Sequence, residues 1–219
     1  MHCPGYAAPA SRTQWAKGLL LALLAVALAV QAAIAAPAQR TVLVFGDSLS
    51  AGYGMAAKQG WVALLGQRLA ARKAGWKVVN ASVSGETTAG GASRIAKVLA
   101  RTDPDVVVIE LGANDGLRGL PLLQTRRNLV KMVDAAEASG AEVLLVGMRM
   151  PPNLGRAYTE GFAANFREVA KDESVPLLPF LLEPIAADPD AFQADDLHPT
   201  AAVQPRLLDH VWEALEPLL

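Results

Sequence analysis

A chain of 219 residues, 52% of them hydrophobic, can build one substantial core, and its single cysteine excludes a disulfide framework and a cysteine-ligated zinc site. Its 20 basic and 21 acidic residues leave a formal charge of −1 with no basic stripe, which argues against nucleic acid or an anionic membrane surface as the main partner.

The first element in chain order is a targeting segment. Arg12 and Lys17 precede an uncharged apolar run, residues 18–30, which is followed by Ala33-Ile34-Ala35-Ala36. A basic start, an apolar stretch and an Ala-x-Ala site describe a secretory signal peptide. Cleavage is expected after Ala35, since a cut after Ala36 would leave Pro37 at the scissile bond. Residues 1–35 are then lost and residues 36–219 form the domain, in the periplasm or secreted. An uncleaved anchor competes, because residues 18–36 approach spanning length, but the run is alanine-rich and ends at a good site. Cys3 leaves with the signal, so the mature chain offers no thiolate.

Beyond it, short β-rich runs alternate with helical patterns. Strands are expected at residues 41–45, 77–80, 105–111 and 142–147, with a shorter one near 175–178. Between the first two, Trp61, Leu64, Leu65 and Leu69 recur at helical spacing; later Leu129, Met132, Val133 and Ala136 share a face. The last helix places Val203, Leu207, Val211, Trp212, Leu215 and Leu218 opposite Arg206, Asp209, Glu213 and Glu216. This order implies an α/β fold: a single three-layer α/β/α domain with a doubly wound, five-stranded parallel sheet. No repeat or linker suggests a second domain. Two proline-rich pieces, residues 150–155 and 184–189, follow the fourth and fifth strands and so fall at the carboxyl edge, where pockets form.

Four fragments at that edge carry chemistry. They are Gly46-Asp47-Ser48-Leu49-Ser50-Ala51-Gly52, Ser84-Gly85-Glu86, Gly112-Ala113-Asn114-Asp115 and Asp195-Asp196-Leu197-His198-Pro199. Each alone is ordinary turn chemistry. Together they supply a serine, three hydrogen-bond donors and a base with an acid beside it. A serine hydroxyl needs a base to become a nucleophile, and the mature chain has only His198 and His210. His210 lies on the flank of the last helix and suits a structural or surface role. Asp195, three residues before His198, can reach one ring nitrogen within a turn, and Asp196 is its rival. The backbone N–H groups of Ser48 and Gly85 and the side-chain amide of Asn114 can receive the negative oxygen of a tetrahedral intermediate. Asp47 and Asp115 are read as braces of their loops. The context of Ser48 is not the Gly-x-Ser-x-Gly elbow, because Ser50 stands two residues on. Scattered carboxylates and one eligible histidine make a metal unexpected, and no nucleotide-binding pattern is present, so no cofactor is expected.

These fragments, in this order, resemble the SGNH (GDSL) hydrolase family, from about Thr41 to the C-terminus. Asn80-Ala81-Ser82-Val83-Ser84-Gly85, Asn114-Asp115-Gly116-Leu117-Arg118-Gly119 and Pro176-Leu177-Leu178-Pro179-Phe180 are similar to its small periplasmic thioesterase/lysophospholipase/arylesterase branch. The third block reads Gly-Ala-Asn-Asp where that branch often has Gly-Gly-Asn-Asp. The resemblance implies a flavodoxin-like sheet, a catalytic set of Ser48, Asp195 and His198, and an oxyanion hole of Ser48, Gly85 and Asn114. Its Asp-x-x-His pattern favours Asp195 over Asp196. It also implies an acyl group lying across loops that carry Leu117, Leu120, Pro121, Leu122, Met148, Met150, Pro151 and Leu154, with Leu117, Met150 and Pro151 the chosen contacts. The expected activity is hydrolysis of small acyl esters or thioesters through an acyl-serine, by a monomer. A carbohydrate O-deacetylase is the alternative, and an idle secreted binding protein a lesser one.

Overall fold

The computed structural model describes residues 39–219, which form one compact unit; the signal-peptide reading falls on residues outside them. Five parallel strands, β1 (Arg40–Gly46), β2 (Trp76–Asn80), β3 (Val106–Glu110), β4 (Glu142–Val146) and β5 (Leu177–Leu178), lie in the order β2-β1-β3-β4-β5. Their sequences explain the burial. Val106-Val107-Val108-Ile109 is β-branched throughout, and both faces of β3 are covered.

Five long helices supply the cover: α2 (Trp61–Arg72), α3 (Thr88–Thr102), α5 (Leu122–Ala138), α6 (Arg156–Asp172) and α7 (Gln204–Leu215). Two short ones, α1 (Ser48–Ala51) and α4 (Ala113–Leu117), follow β1 and β3 directly. Helix α2 packs against α7, while α3 packs against α5 and α5 against α6. That division follows from right-handed crossovers: the chain winds one way from β1 to β2 and the other way from β3 onward. The reversal leaves a crevice between the carboxyl ends of β1 and β3, and α1 and α4 start on its two sides.

The sheet agrees with the sequence reading. Helices α3 and α6 were not legible as amphipathic patterns. The first turns of α3 are Thr88-Ala89-Gly90-Gly91-Ala92, in which Thr88 and the two glycines are poor helix formers and little apolar surface is offered. It forms because Thr87 caps it, accepting from the Gly90 N–H at 3.4 Å, and because its buried side carries Ile95, Val98 and Leu99. In α6 the buried residues Phe162, Phe166 and Val169 stand among charged neighbours, so its mean hydropathy is low although its core face is aromatic. The expected last helix is trimmed to α7, with single 3₁₀ turns at Ala201–Val203 and Glu216–Leu218, the second carrying Pro217.

Gly91 shows how tightly α3 meets the sheet. A β-carbon there would lie 2.4 Å from Leu111 Cδ1 and 2.8 Å from Met132 Sδ. Glycine to alanine inside a helix ordinarily gains up to about 1 kcal/mol, whereas overpacking a core costs about 1–3 kcal/mol. Gly91→Ala should therefore lower the urea midpoint despite its better propensity. A raised midpoint would mean that this interface yields at no cost.

Candidate active site

The turn that carries Ser48 begins where β1 ends. Asp47 caps α1 by accepting the Leu49 N–H on Oδ1 at 3.0 Å, which lifts Ser48 onto the first turn of that helix at the edge of the crevice. Below it lies Glu110, the last residue of β3, in register with Gly46 and fully enclosed. Ser50 Oγ donates to Glu110 Oε2 at 2.6 Å, and the Asp47 N–H reaches the same oxygen at 3.4 Å. The sequence reading treated Glu110 only as part of a strand. Its signal was an acid inside an otherwise apolar run.

His198 arrives from a tight loop near the C-terminus. A bridge between Phe192 and Pro199 closes it, and the Gln193 N–H donates to the His198 carbonyl at 2.8 Å. The Gln193 side chain donates to the carbonyls of Tyr53 (2.9 Å) and Pro199 (3.1 Å), tying this loop to the segment after α1. His198 Nε2 stands 2.8 Å from Ser48 Oγ, and Nδ1 stands 2.7 Å from Asp195 Oδ2. A carboxylate only accepts, so Nδ1 carries the proton and Nε2 presents its lone pair to the serine hydroxyl. The ring of Tyr53 lies against the imidazole, centroids 4.3 Å apart.

Asp195 is held as an anion. Hydrogen bonds from the His198 N–H, the His198 ring and the Leu197 N–H draw its pKa down to about 2. It therefore stays charged wherever the imidazole is neutral. Asp196 takes a left-handed backbone (φ 56°) and lines the cavity instead. Of the two adjacent acids, Asp195 is the one against the ring.

Three donors face the same space. Among the described residues the N–H groups of Ser48 and Gly85 have no acceptor within the protein. Gly85 adopts φ 78°, a left-handed conformation in which a β-carbon is strained. The Asn114 amide donates to Asp47 Oδ2 at 3.1 Å through one hydrogen. Asp115, on the buried side of α4, accepts from the Thr88 N–H (2.8 Å) and from the hydroxyls of Thr88 and Thr125, which braces the loop. Glu86 is drawn away to Arg94. Asp47, Glu86, Asp115 and Asp195 are thus separately engaged.

Two buried acids, Asp47 and Glu110, lie side by side. Burial pushes Asp47 up to about 6, against the lowering effect of the Leu49 N–H and the Asn114 amide. Burial, then the Asp47 charge, pushes Glu110 well above the carboxylate range. Glu110, raised both by burial and by the charge beside it, is accordingly the neutral partner, and Asp47 bears the charge.

Beside the serine opens a cavity of about 730 Å³. Ser48, Gly85, Asn114 and His198 line it, as do the expected Leu117, Met150 and Pro151. Met148 is also in its wall; Leu120, Pro121, Leu122 and Leu154 are not, and Leu122 packs into the core beside Gly161. Phe180, Leu182 and Phe192 complete the apolar wall, and sequence reasoning did not assign them there. Phe180 closed a recognised block, yet nothing local says which way its ring turns. His210 Nε2 donates to the Phe180 carbonyl at 3.0 Å, a structural role.

Residues 44–204 match the GDSL-like Lipase/Acylhydrolase family. The chain is 49% identical over 201 residues to Esterase TesA of Pseudomonas aeruginosa, covering 92% of this chain and 98% of that protein. It is 42% identical over 184 residues to Thioesterase 1/protease 1/lysophospholipase L1 of Escherichia coli K12, covering 84% and 87%. A crystal structure of TesA superposes with a TM-score of 0.80 at 50% identity, covering 82% of this chain and all of that one, 100%.

The neutral burial of Glu110 has a pH signature. Its folded pKa exceeds the ordinary 4.5, so its contribution to stability is full below that value and is lost as pH rises toward the folded pKa. Glu110→Gln keeps an uncharged hydrogen-bonding group and removes this loss. The melting temperature of the variant relative to the parent should therefore climb as pH is raised from 4.5 through neutrality. A difference that stays flat across that range would mean that Glu110 is charged in the folded protein.

Proposed function

The chain belongs to the GDSL-like lipase/acylhydrolase family and is a carboxylic ester hydrolase acting on small-molecule esters, and on that footing we propose that Ser48 is its acyl-forming nucleophile. His198 takes the serine proton at Nε2 as Oγ attacks the ester carbonyl. Asp195 holds the imidazole in the reactive tautomer and stabilises the imidazolium that forms. The oxyanion that appears is received by the Ser48 and Gly85 N–H groups and the free hydrogen of the Asn114 amide. Collapse expels the alcohol or thiol, which takes its proton from His198. Water, activated by the same base, then releases the acid from the acyl-serine. The observation that carries this reading is the Asp195–His198–Ser48 chain at 2.7 and 2.8 Å, set at the wall of an apolar cavity.

The cavity wall also supports a substrate class. Leu117, Met150 and Pro151 with Phe180 and Phe192 offer apolar surface to an acyl chain and few partners to sugar hydroxyls. That favours acyl esters, acyl thioesters and lysophospholipids over acetylated carbohydrates. The residues at hand complete the reaction without metal or cofactor, and a monomer suffices. Residues 1–35 direct export, placing the enzyme in the periplasm or outside the cell.

A fluorophosphonate probe should label the protein once, at Ser48, and Ser48→Ala should lose labelling and turnover together. Asp195→Asn should lower kcat by roughly 10²–10⁴-fold, since it disfavours the reactive tautomer, while Asp196→Asn stays within a few-fold. Normal turnover by Ser48→Ala, or equal damage from the two adjacent substitutions, overturns the assignment. Intact mass of protein exported from a bacterial host checks the processing: the chain should begin at Ala36, and a form retaining residues 18–35 would mean an anchor.

A further inference from the structure

A primary amide serves an oxyanion hole only if its nitrogen, not its oxygen, faces the developing charge. The two ends are nearly isosteric, and Asn114 sits near the start of a five-residue helix with its side chain at the cavity wall. Something must choose the end. The neighbour that makes the choice is Asp47, 67 positions earlier in the chain. Asp47 is 0% exposed, and its two oxygens are assigned: Oδ1 accepts the Leu49 N–H at 3.0 Å, and Oδ2 accepts Asn114 Nδ2 at 3.1 Å. A carboxylate has no proton to offer, so only the nitrogen of the amide can face it. With one amide hydrogen held there, the second is left for the cavity that Ser48 and Gly85 also line.

We propose that Asp47 is a positioning residue for the reaction: its carboxylate fixes the flip and rotation of the Asn114 amide, so that the donor from α4 is held relative to the nucleophile turn that Asp47 itself caps. The proposal rests on the reading of Asn114 as an oxyanion donor. It also accounts for a fully enclosed acid directly before the serine, at a position where capping alone would be served as well by serine or asparagine. The surroundings fit. Glu110 approaches from β3, Asp115 from α4 and His198 from the C-terminal loop, and the Leu49 and Asn114 donors are what stabilise a charge there.

The test is a double-mutant cycle on the full chain with a chromogenic acyl ester. Asp47→Asn and Asp47→Ser both retain a capping oxygen, so a merely structural role leaves kcat near that of the parent. If Asp47 acts through Asn114, each should lower kcat by about 10–100-fold with KM within about threefold, part of the roughly 10²–10³-fold that loss of an oxyanion donor costs. Adding either to Asn114→Ala should then lower kcat by less than about twofold further. Parent-like kcat in the Asp47 variants, or effects that multiply with Asn114→Ala, overturns the proposal and leaves the oxyanion reading intact. An Asn114→Ala enzyme with unchanged kcat removes that reading instead, and the proposal with it. Should the Asp47 variants not fold, NMR of the ¹⁵N-labelled parent protein decides: a fixed amide shows one Asn114 side-chain proton exchanging with solvent far more slowly than the other, which faces the cavity, and two protons that exchange equally fast overturn the proposal.

Discussion

Ser48 Oγ and His198 Nε2 lie 2.8 Å apart although 150 positions separate them in the chain, and almost every feature of the fold bears on that distance. The parallel pairing of β1 with β3 sets the level at which α1 begins. The wall of α2 against α7 carries the chain back to the same edge, with the Trp61 N–H held by Gln204 Oε1 at 2.9 Å just after the loop that bears His198. Gln193 closes the last gap by bonding the backbone on both sides of it. A proton can pass between two side chains only within hydrogen-bond reach, so an error of one ångström anywhere in this chain of contacts would be felt in the chemistry.

Beneath the serine, the fold tolerates an electrostatic cost. Two carboxyl groups buried side by side cannot both ionise, and neither is released to water. Burial raises both carboxyls and the Asp47 charge raises Glu110 again, so Glu110 keeps its proton, while the Leu49 N–H and the Asn114 amide work against burial at Asp47. Asp195, at the protein surface, is the opposite case. Three donors from its own loop lower its pKa, so it remains a charged partner for the imidazole. The site thus places a neutral acid, a buried anion and an exposed anion around Ser48, their states set by burial, neighbouring charge and donors.

The acyl-sized cavity is assembled late in the chain. Met148 and Met150 follow β4, Phe180 follows β5, and Phe192 precedes His198. Arg149 lies over the Phe180 ring at 5.3 Å, which leaves its charge at the rim and the ring face inward.

The sequence by itself determined the parallel α/β sheet, because β-branched runs buried on both faces differ from helical patterns in length and period. It also offered Ser48, His198 and Asp195 as the candidate set, because few histidines are available and the four fragments together resemble one family. It did not reveal α3, whose packing depends on Gly91 meeting Leu111 and Met132, nor α6, whose aromatic face is hidden among charges. The family's Asp-x-x-His pattern already favoured Asp195 over Asp196; the tertiary structure adds the reason, a left-handed residue at Asp196 that leaves Asp195 against the ring. Only the tertiary structure brought Glu110 beneath Ser50 and Asp47 onto Asn114, and turned Phe180 and Phe192 into one wall. The physical reason is common to all of these: residue type and local period are properties of the chain, whereas side-chain direction and partner choice depend on contacts between segments far apart in it.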